Sequence, residues 1–405
     1  MEYYSSLAVF GIRPGLARTA RALELLGLPR AGRLIHVAGT NGKGSVTAFA
    51  ASILTEAGYR AGSYTSPYVF RVNERIGIGR DYISDEDFGL CADKVREVNG
   101  RLAGLGYESL TEFEAKTVAA FVYFALQKTD AVVIECGMGG RSDATNVITP
   151  DCSVIVSVGP DHMEWLGSTL REIAREKAGI IKPGVPCVTG ADGEALEEID
   201  RQAALAGSRV YALGRDFTVT GSGPWDLESE VLTLRGYAPT LRGTFQPVNA
   251  AIAALAASLT ASVTEDALRR GIARAFLPGR FQQIGSRPGV YLDGAHNGPA
   301  ARALAATLAE LRYPKLVLVI GMLSNHDPDP VVRALAPLCA EAVVTRSSSP
   351  RALPAEELAR TVERYLPCRQ VPEVNAALAE ARALAGPEGA VIVTGSFYTI
   401  GEVRT

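Results

Sequence analysis

The stretch GTNGKGS, residues 39–45, combines three glycines with one lysine directly after a short apolar run. A phosphate is bound by backbone N–H groups that converge at a helix N-terminus, where glycines permit close approach and a cation can reach the outer phosphates. The spacing is a variant of G-x-x-x-x-G-K-[ST], since two residues separate Gly39 from Gly42 and Gly44 stands between Lys43 and Ser45. An apolar strand before the turn and an amphipathic helix after it favour a nucleotide-phosphate site over a purely structural turn.

Glu135 is a second candidate for chemistry, because it ends the apolar run AVVIE, residues 131–135. A carboxylate at the carboxyl end of a buried parallel strand projects into the crevice where α/β folds bind ligands, while a solvated strand-end glutamate is the alternative. Phosphoryl transfer depends on positioning and on neutralising the negative charge that spreads over the phosphate oxygens. Lys43 and a Mg²⁺ ion are therefore the expected neutralising groups.

The segments that must position these residues alternate between strand and helix. Continuous apolar runs at 131–135 and 153–158 are typical of strands in a parallel sheet with helices on both faces. Residues 211–245 are glycine-rich and β-like and predict a small meander. Helical spacing and helix start signals predict helices at 16–26, 45–57, after Ser84, after Thr111, and at 247–259. The fold class that follows is α/β.

The segment FLPGR, residues 276–280, is the best candidate linker, because proline and glycine interrupt it and the alternation of strand and helix restarts beyond it. The second half alternates predicted strands with helices, at 290–293, 315–321, 341–345 and 390–395 for the strands and from Gly298, Asp329, Pro354 and Glu373 for the helices. We predict two domains, residues 1–277 and residues 278–405, of which the second is a smaller, mostly parallel α/β domain.

Composition narrows the classes of partner and compartment. A net charge of −3 without blocks of like charge gives no general reason to bind nucleic acid or an anionic membrane. The six cysteines form no C-x-x-C pair, so neither a zinc knuckle nor a disulfide framework is indicated. The N-terminus lacks a basic segment followed by an apolar stretch, and no long apolar run is present. We expect a cytoplasmic protein that acts on small molecules, without nucleic-acid or membrane partners.

Beyond the phosphate turn, blocks of sequence along nearly the whole chain resemble, in the same order, those of the folylpolyglutamate synthase and dihydrofolate synthase family, which belongs with the Mur ligases. These blocks are HVAGTNGKGS (36–45), TSPYVFRVNERI (65–76), LTEFE (110–114), ECGMGGRSDATN (135–146), DHMEWLG (161–167), REKAGIIKPG (175–184), LPGRFQ (277–282), LDGAHN (292–297) and TGSFYTIGEV (394–403). The resemblance implies a P-loop ATPase domain with a parallel sheet flanked by helices, a smaller Rossmann-like C-terminal domain, and an active site in the cleft between them.

The reaction that this resemblance implies joins the amino group of L-glutamate to a carboxylate, with cleavage of ATP to ADP and phosphate. The carboxylate belongs to dihydropteroate or to the glutamate tail of a folate, and both activities are expected. Attack of the carboxylate on the γ-phosphate forms an acyl phosphate, from which the amine then displaces phosphate. The implied cofactors are ATP and Mg²⁺, and a monomer is expected.

The resemblance also implies roles for individual residues. ATP is expected to be bound by Gly39, Thr40, Asn41, Gly42, Lys43, Gly44, Ser45, Asn249, Arg280, Asp293 and His296. The metal ion is expected at Ser66, Glu135 and His162, and catalysis is expected to involve Lys43, Lys177, His162 and Arg280. The substrate is expected at Thr65, Ser66, Pro67, Tyr68, Arg71, Glu112, Arg141 and Asp143. Lys177 is expected to be carbamylated, which would convert a cation that repels Mg²⁺ into an anionic ligand.

Several of these residues have plainer alternatives. Without the resemblance, Lys177 would be an exposed lysine in a salt bridge, His162 a hydrogen-bonded loop histidine, and Ser66 a turn serine. Arg280 could form a surface salt bridge, Asp293 could stabilise a turn, and Asn249 could cap a helix.

The sequence departs from the family pattern in two places. Tyr68 stands where His or Phe is common, and residues 325–327 are NHD in place of D-K-D. These departures bear on substrate choice and on contacts with glutamate.

Two other functions are alternatives to the ligation of glutamate to a folate. A Mur-type ligase that extends a UDP-sugar peptide would usually carry an additional N-terminal domain, for which the short segment before the P-loop leaves no room. A P-loop switch ATPase would hydrolyse ATP without requiring L-glutamate.

Overall fold

The computed structural model describes residues 2–5, 7, 15–29, 32–160 and 163–404. The chain forms two compact units. Unit 1 comprises Met1–Pro67, Asn73–Thr240 and Pro247–Phe276, and unit 2 comprises Tyr68–Val72, Leu241–Gln246 and Leu277–Thr405. Each unit has its own sheet.

The main sheet of unit 1 has eight strands in the order β4-β3-β2-β5-β1-β6-β7-β8. The strands are β1 Arg33–Ala38, β2 Ala61–Tyr64, β3 Ile76–Ile78, β4 Asp81–Tyr82, β5 Ala131–Glu135, β6 Cys152–Ile155, β7 Cys187–Thr189 and β8 Val210–Ala212. The six strands β2, β5, β1, β6, β7 and β8, in this spatial order, pair in parallel with their neighbours. Strands β3 and β4 add an antiparallel edge next to β2. Every residue of β5 and β6 is buried, as expected for apolar strands covered on both faces.

Helices connect and cover these strands. They are α1 Glu2–Ser5, α2 Ala17–Leu26, α3 Lys43–Glu56, α4 Asp85–Gly104, α5 Glu112–Leu126, α6 Met163–Leu166, α7 Leu170–Lys177, α8 Gly193–Leu205, α9 Gln246–Thr260 and α10 Glu265–Arg274. The start signals operate as predicted, since the Ser84 side chain caps α4 and Thr111 forms a capping box with Glu114 at the start of α5. Helix α3 begins at Lys43 rather than at the predicted Ser45, because Gly42 is its N-cap.

The predicted meander is a separate antiparallel sheet of three strands in the order β11-β10-β9. The strands are β9 Phe217–Gly221, β10 Trp225–Ser229 and β11 Thr233–Tyr237. Consecutive strands pair as neighbours, so this part of the prediction is confirmed.

Unit 2 contains a six-stranded sheet in the order β12-β13-β17-β14-β15-β16. The elements are β12 Gln282–Ser286, β13 Gly289–Leu292, α11 Gly298–Glu310, β14 Leu316–Ile320, α12 Asp329–Leu335, β15 Glu341–Val344, α13 Ala355–Val362, β16 Cys368–Gln370, α14 Val374–Ala385, β17 Ala390–Thr394 and α15 Phe397–Gly401. Strand β12 pairs antiparallel with β13, and the other neighbouring strands of this sheet pair in parallel. Alternate residues of β14 and β17 belong to two different apolar clusters, one on each face of the sheet. A mostly parallel α/β unit is therefore confirmed. Within the described ranges of the chain, no helix is both long and apolar enough to span a membrane.

Candidate active site

Residues 39–45 join β1 to α3, and their backbone geometry requires glycine at Gly42. Gly42 has a φ of 85°, in the left-handed region. A Cβ at this position would lie 2.9 Å from Asn249 Oδ1 and 2.9 Å from Val156 Cγ1. The Asn249 side chain therefore packs directly against the turn, and Gly42 leaves α3 without a side-chain cap.

Hydrogen bonds fasten the turn to the segment that follows β6. The N–H of Thr40 donates to Ser157 O at 2.9 Å, and the N–H of Asn41 donates to Ser157 Oγ at 3.0 Å. Thr40 Oγ1 accepts from the N–H of Gly159 at 3.0 Å. Because these contacts hold the backbone, the N–H groups that follow are oriented before any anion arrives.

Lys43 is the first residue of α3, and its side chain folds back over the turn. Its ammonium Nζ donates to Gly39 O at 2.9 Å and to Thr40 O at 3.2 Å. The turn thus carries the positive charge of Lys43 at the N-terminus of α3.

Glu135 and Ser66 lie side by side, although 69 residues separate them in the sequence. Strands β2 and β5 pair in parallel, with Tyr64 opposite Ile134, so the residues that follow Tyr64 lie at the carboxyl end of β5. There the N–H of Ser66 donates to Glu135 Oε2 at 3.0 Å, and the Glu135 side chain is almost fully buried, with 2% of the residue exposed.

The Glu135 carboxylate suits a hard divalent cation, and the Ser66 hydroxyl is the second oxygen ligand that the resemblance implies. Mg²⁺ prefers carboxylate and hydroxyl oxygens, is held by few protein ligands, and completes its shell with water and phosphate. His162 and Asp161 lie outside the described residues. Among the residues that are described, no group of three His, Cys, Asp or Glu side chains could hold a metal ion by itself.

Lys177 ends α7 and is among the most buried side chains of the protein, with 2% of the residue exposed. Burial raises the pKa of the Cys136 thiol well above its usual value, and the ammonium groups of Lys43 and Lys177 both oppose that rise. The backbone of Lys177 packs against the loop that follows β5, because a Cβ at Gly140 would lie 3.0 Å from Lys177 Cα. The alternative of an exposed surface lysine does not hold for Lys177.

Helix α7 is held from two sides. The N–H of Arg141 donates to Glu176 O at 2.8 Å, which joins the glycine-rich loop 137–142 to the end of the helix. On the other side, the buried Glu198 of α8 accepts from Arg175 Nε at 3.0 Å. The end of the helix that carries Lys177 is consequently held by contacts of the two residues that precede it.

Among the predicted substrate residues, Asp143 is buried and Arg141 is exposed. Asp143 Oδ1 accepts from Thr145 Oγ1 at 2.6 Å and from the N–H of Thr145 at 3.0 Å, and Oδ2 accepts from the N–H of Met138 at 2.9 Å. Glu112 forms an ion pair with the buried Lys116 within the first turn of α5.

The block 65–76 divides between the two units. Thr65, Ser66 and Pro67 belong to unit 1, whereas the exposed Tyr68 and Arg71 belong to unit 2. The N–H of Thr65 donates to Arg75 O at 2.9 Å, which anchors the unit 1 end of the block.

In unit 2, Arg280 lies over the ring of Phe397, with its Cζ 4.4 Å from the ring centroid. The next residue, Phe281, has a φ of 47°, a conformation that bulky residues rarely adopt. Asp293 stabilises it, because Oδ2 accepts from the N–H of Phe281 at 2.9 Å while Oδ1 accepts from the N–H of Ala295 at 2.9 Å. Asp293 thereby sets the backbone direction from which Arg280 projects.

His296 follows β13 in the same unit. Its Nδ1–H donates to Gly294 O at 2.8 Å, and its ring lies 4.8 Å from the ring of His326. Helix α11 is capped by Asn297, whose side chain accepts from the N–H of Ala300, so Asp293 serves the turn and not the cap.

Comparison with known proteins decides the family. Residues 37–257 match the Mur ligase middle domain, and residues 279–397 match the Mur ligase, glutamate ligase domain. The dihydrofolate synthase/folylpolyglutamate synthase of Bacillus subtilis (strain 168) is 36% identical to this chain over 411 residues, which cover 98% of this chain and 95% of the relative. The chain belongs to the dihydrofolate synthase/folylpolyglutamate synthase family. The family prediction made from the sequence is confirmed.

Solved structures of the dihydrofolate synthase/folylpolyglutamate synthase family share the whole fold. Escherichia coli FolC in complex with DHPP and ADP is similar with a TM-score of 0.91 and 32% identity, covering 99% of this chain and 94% of that chain. The bifunctional folylpolyglutamate synthase/dihydrofolate synthase of Yersinia pestis, complexed with AMPPNP and a Mn ion, is similar with a TM-score of 0.89 and 33% identity. The match covers 98% of this chain and 95% of that chain. The predicted fold class is confirmed.

Sequence reasoning missed several residues that shape the site of this family member. Ser157 and Gly159 fasten the phosphate turn, Thr145 and Met138 fasten Asp143, and Glu198 fastens α7. Gly159 and Met138 contribute only backbone N–H groups, which their residue types do not reveal, and Ser157, a polar residue beside an apolar strand, is equally typical of a satisfied core residue.

Proposed function

We propose that this protein is an ATP-dependent ligase that joins L-glutamate to a carboxylate of a folate, and also to the carboxylate of dihydropteroate. One observation carries the proposal: the phosphate turn, with its Lys43 ammonium, and the hydrogen-bonded residues Ser66 and Glu135 lie at the carboxyl ends of β1, β2 and β5, which are adjacent strands of one sheet. The names and ligands of the similar family members support the same reaction.

The phosphate turn would hold the triphosphate of ATP. In this proposal the N–H groups of residues 42–45, which follow the two that donate to Ser157, and the Lys43 ammonium contact the β- and γ-phosphates, which requires Lys43 to exchange its carbonyl partners for phosphate oxygens. Asn249, which packs against Gly42, would contact the nucleotide from α9.

Ser66 and Glu135, together with His162, would hold the Mg²⁺ ion. When bound, Mg²⁺ would neutralise charge on the phosphate oxygens during transfer. Before that, the Ser66 N–H holds the Glu135 carboxylate in one orientation.

Lys177 would act as a carbamate. A neutral Lys177 amine would attack CO₂, forming an N–C bond and releasing one proton, and the product would carry a negative charge near Lys43. The support is its burial and its place against the loop that follows β5, because a buried cation close to Mg²⁺ would be electrostatically unfavourable.

The substrate would be held by the residues assigned to it from the resemblance: Thr65, Ser66, Pro67, Tyr68, Arg71, Glu112, Arg141 and Asp143. Asp143 can accept an N–H of the pterin, since the three hydrogen bonds described for its carboxylate leave acceptor capacity on Oδ2.

In unit 2, Arg280, Asp293 and His296 would serve the nucleotide. The Arg280 guanidinium would pair with phosphate oxygens, while Asp293 fixes the backbone at the next residue, Phe281. We also propose a domain boundary at 277/278, which the separate matches at 37–257 and 279–397 support.

The chemistry then proceeds in two transfers. The substrate carboxylate oxygen attacks the γ-phosphorus, and the bond to the β,γ-bridging oxygen breaks to release ADP. The amine of L-glutamate next attacks the acyl carbon, the tetrahedral intermediate expels phosphate, and the amine loses a proton. The charged groups of the chain act by orienting the reactants and stabilising the charge that develops.

The test incubates the purified protein with ATP, Mg²⁺ and L-glutamate, and with dihydropteroate and tetrahydrofolate in separate reactions. We expect ADP release that depends on L-glutamate and a product heavier by one glutamyl unit in each reaction, and we expect Lys43→Met to abolish both. ADP release without L-glutamate would instead indicate a switch ATPase, and no release with either pterin substrate would overturn the proposal. A product with tetrahydrofolate alone would limit the activity to folylpolyglutamate synthesis.

We further propose that the protein acts in the cytoplasm as a monomer. Light scattering during size-exclusion chromatography would check the second point against the chain mass of 42.8 kDa.

A further inference from the structure

Four buried polar side chains form a cluster between β1 and the loop after β5: His36, Cys136, Asp143 and Thr145. His36 Nε2 lies 2.8 Å from Thr145 Oγ1 and 3.1 Å from Cys136 Sγ. Thr145 Oγ1 lies 2.6 Å from Asp143 Oδ1. His36, on the strand that leads to the phosphate turn, is thus connected to a carboxylate of the proposed substrate site.

The direction of each hydrogen bond follows from the donors available. Burial raises the pKa of the Asp143 carboxyl, and the donors on its two oxygens, which include the N–H and hydroxyl of Thr145 and the N–H of Met138, oppose that rise by favouring a carboxylate that only accepts. The Thr145 hydroxyl therefore donates to Asp143, and its oxygen accepts from His36. His36 must accordingly carry its proton on Nε2.

The remaining nitrogen of His36 is costly to bury. Nδ1 is buried and has no hydrogen-bond partner among the described residues. Burial lowers the pKa of His36 to about 3, so the ring is neutral. Leu34, Ile35 and Val37, which flank His36 in β1, are buried apolar residues, and an apolar side chain at position 36 would avoid this cost. A polar residue that weakens a buried strand indicates a role other than stability.

We propose that His36 and Thr145 are positioning residues that orient the Asp143 carboxylate toward the pterin ring of the substrate. This inference rests on the proposed function. The His36 N–H fixes the rotor of the Thr145 hydroxyl, the hydroxyl and N–H of Thr145 occupy Oδ1, and Oδ2 is left with an acceptor position for the substrate. Without the His36 N–H, the Thr145 hydroxyl is free to rotate and the Asp143 carboxylate loses its fixed orientation.

The experiment compares His36→Leu, Thr145→Val and His36→Gln with the unmodified protein. Calorimetric titration with dihydropteroate gives Kd, and the ADP-release assay gives KM for the pterin substrate and for ATP. His36→Leu and Thr145→Val should each weaken pterin binding roughly tenfold, about 1.4 kcal/mol, and leave KM for ATP within about twofold. His36→Gln should restore pterin binding, because its side-chain N–H can replace Nε2–H.

Two further variants test the connection itself. The double variant His36→Leu/Thr145→Val should bind pterin no more weakly than either single variant, because both remove the same chain of hydrogen bonds. Cys136→Ala is the matched control: it removes the sulfur that contacts His36 Nε2 and keeps the contact to Thr145, so pterin binding should be unchanged.

The outcomes separate this inference from the proposed function. Lower thermal stability with unchanged pterin Kd in His36→Leu and Thr145→Val would overturn the positioning role while leaving the ligase proposal intact. Pterin binding without any ligation would overturn the ligase proposal, and the Kd values of the variants would still decide the positioning role. No pterin binding by the unmodified protein would overturn both.

Discussion

The N–H of Ser66 lies 3.0 Å from Glu135 Oε2, at the carboxyl ends of the adjacent parallel strands β2 and β5. The contact brings together two of the three residues that the resemblance assigns to a metal ion. The parallel pairing of β2 with β5 places these two residues side by side.

Replacing Glu135 with Gln keeps the shape of the side chain and removes its charge. We expect kcat to fall about 10²-fold or more and half-maximal activity to require more Mg²⁺, because the neutral amide is a weaker ligand. A Mg²⁺ titration of ADP release measures both effects. Glu24→Gln, at an exposed position of α2, is the control that should behave like the unmodified protein. An unchanged Mg²⁺ requirement in Glu135→Gln would rule out Glu135 as a metal ligand.

Lys177→Arg and Lys177→Met should both be inactive, since neither side chain can form a carbamate. The unmodified protein should lose activity when CO₂ and bicarbonate are removed and regain it when bicarbonate is added. With ¹³C-labelled bicarbonate, NMR should show one carbamate carbon that is missing in Lys177→Met. Full activity of Lys177→Arg would contradict the carbamate and would point to a role for positive charge.

Arg280→Lys should raise KM for ATP about tenfold, because lysine keeps the charge but loses the planar fork and the stacking on Phe397. Arg280→Ala should have a larger effect, and ATP titration of ADP release measures both. Arg302→Ala, at an exposed position of α11, serves as the control. If Arg280→Lys bound ATP normally, the flat stacking geometry would have no part in nucleotide binding.

His36 makes stability depend on pH in a known direction. Its pKa falls from an ordinary 6.5 to about 3 on folding, chiefly through burial and secondarily through the charge of Lys182. Between pH 6.5 and about pH 3, His36 binds a proton in the unfolded chain but not in the folded protein. The free energy of unfolding is therefore highest above pH 6.5 and decreases as the pH falls through this range. At about pH 5 the loss is about 2 kcal/mol.

Denaturant unfolding at a series of pH values measures this loss, with His36→Gln as the comparison. The Gln variant should lose about 2 kcal/mol less than the unmodified protein between about pH 7.5 and about pH 5. Parallel curves for the two proteins would show that His36 is not the group responsible.

Features that depend on neighbouring residues could be predicted from the sequence. The capping box of Thr111 and Glu114 is a local contact over three residues, and it marks the start of α5 correctly. The buried run of β5 and the glycine turn before α3 were predicted for the same reason. Short strands were missed, such as β7 and β16 with three residues each, because so few residues show no clear periodicity.

The sequence by itself determined the family, the α/β class and the residue types needed for phosphate chemistry, because these lie in contiguous motifs whose geometry follows from local backbone and side-chain preferences. Only the tertiary structure decided which of those residues meet. Ser66 reaches Glu135 across 69 positions, and His36 reaches Thr145 across 109. Such contacts depend on strand order and register, which arise when distant segments bury their apolar faces together, and no local pattern specifies that choice.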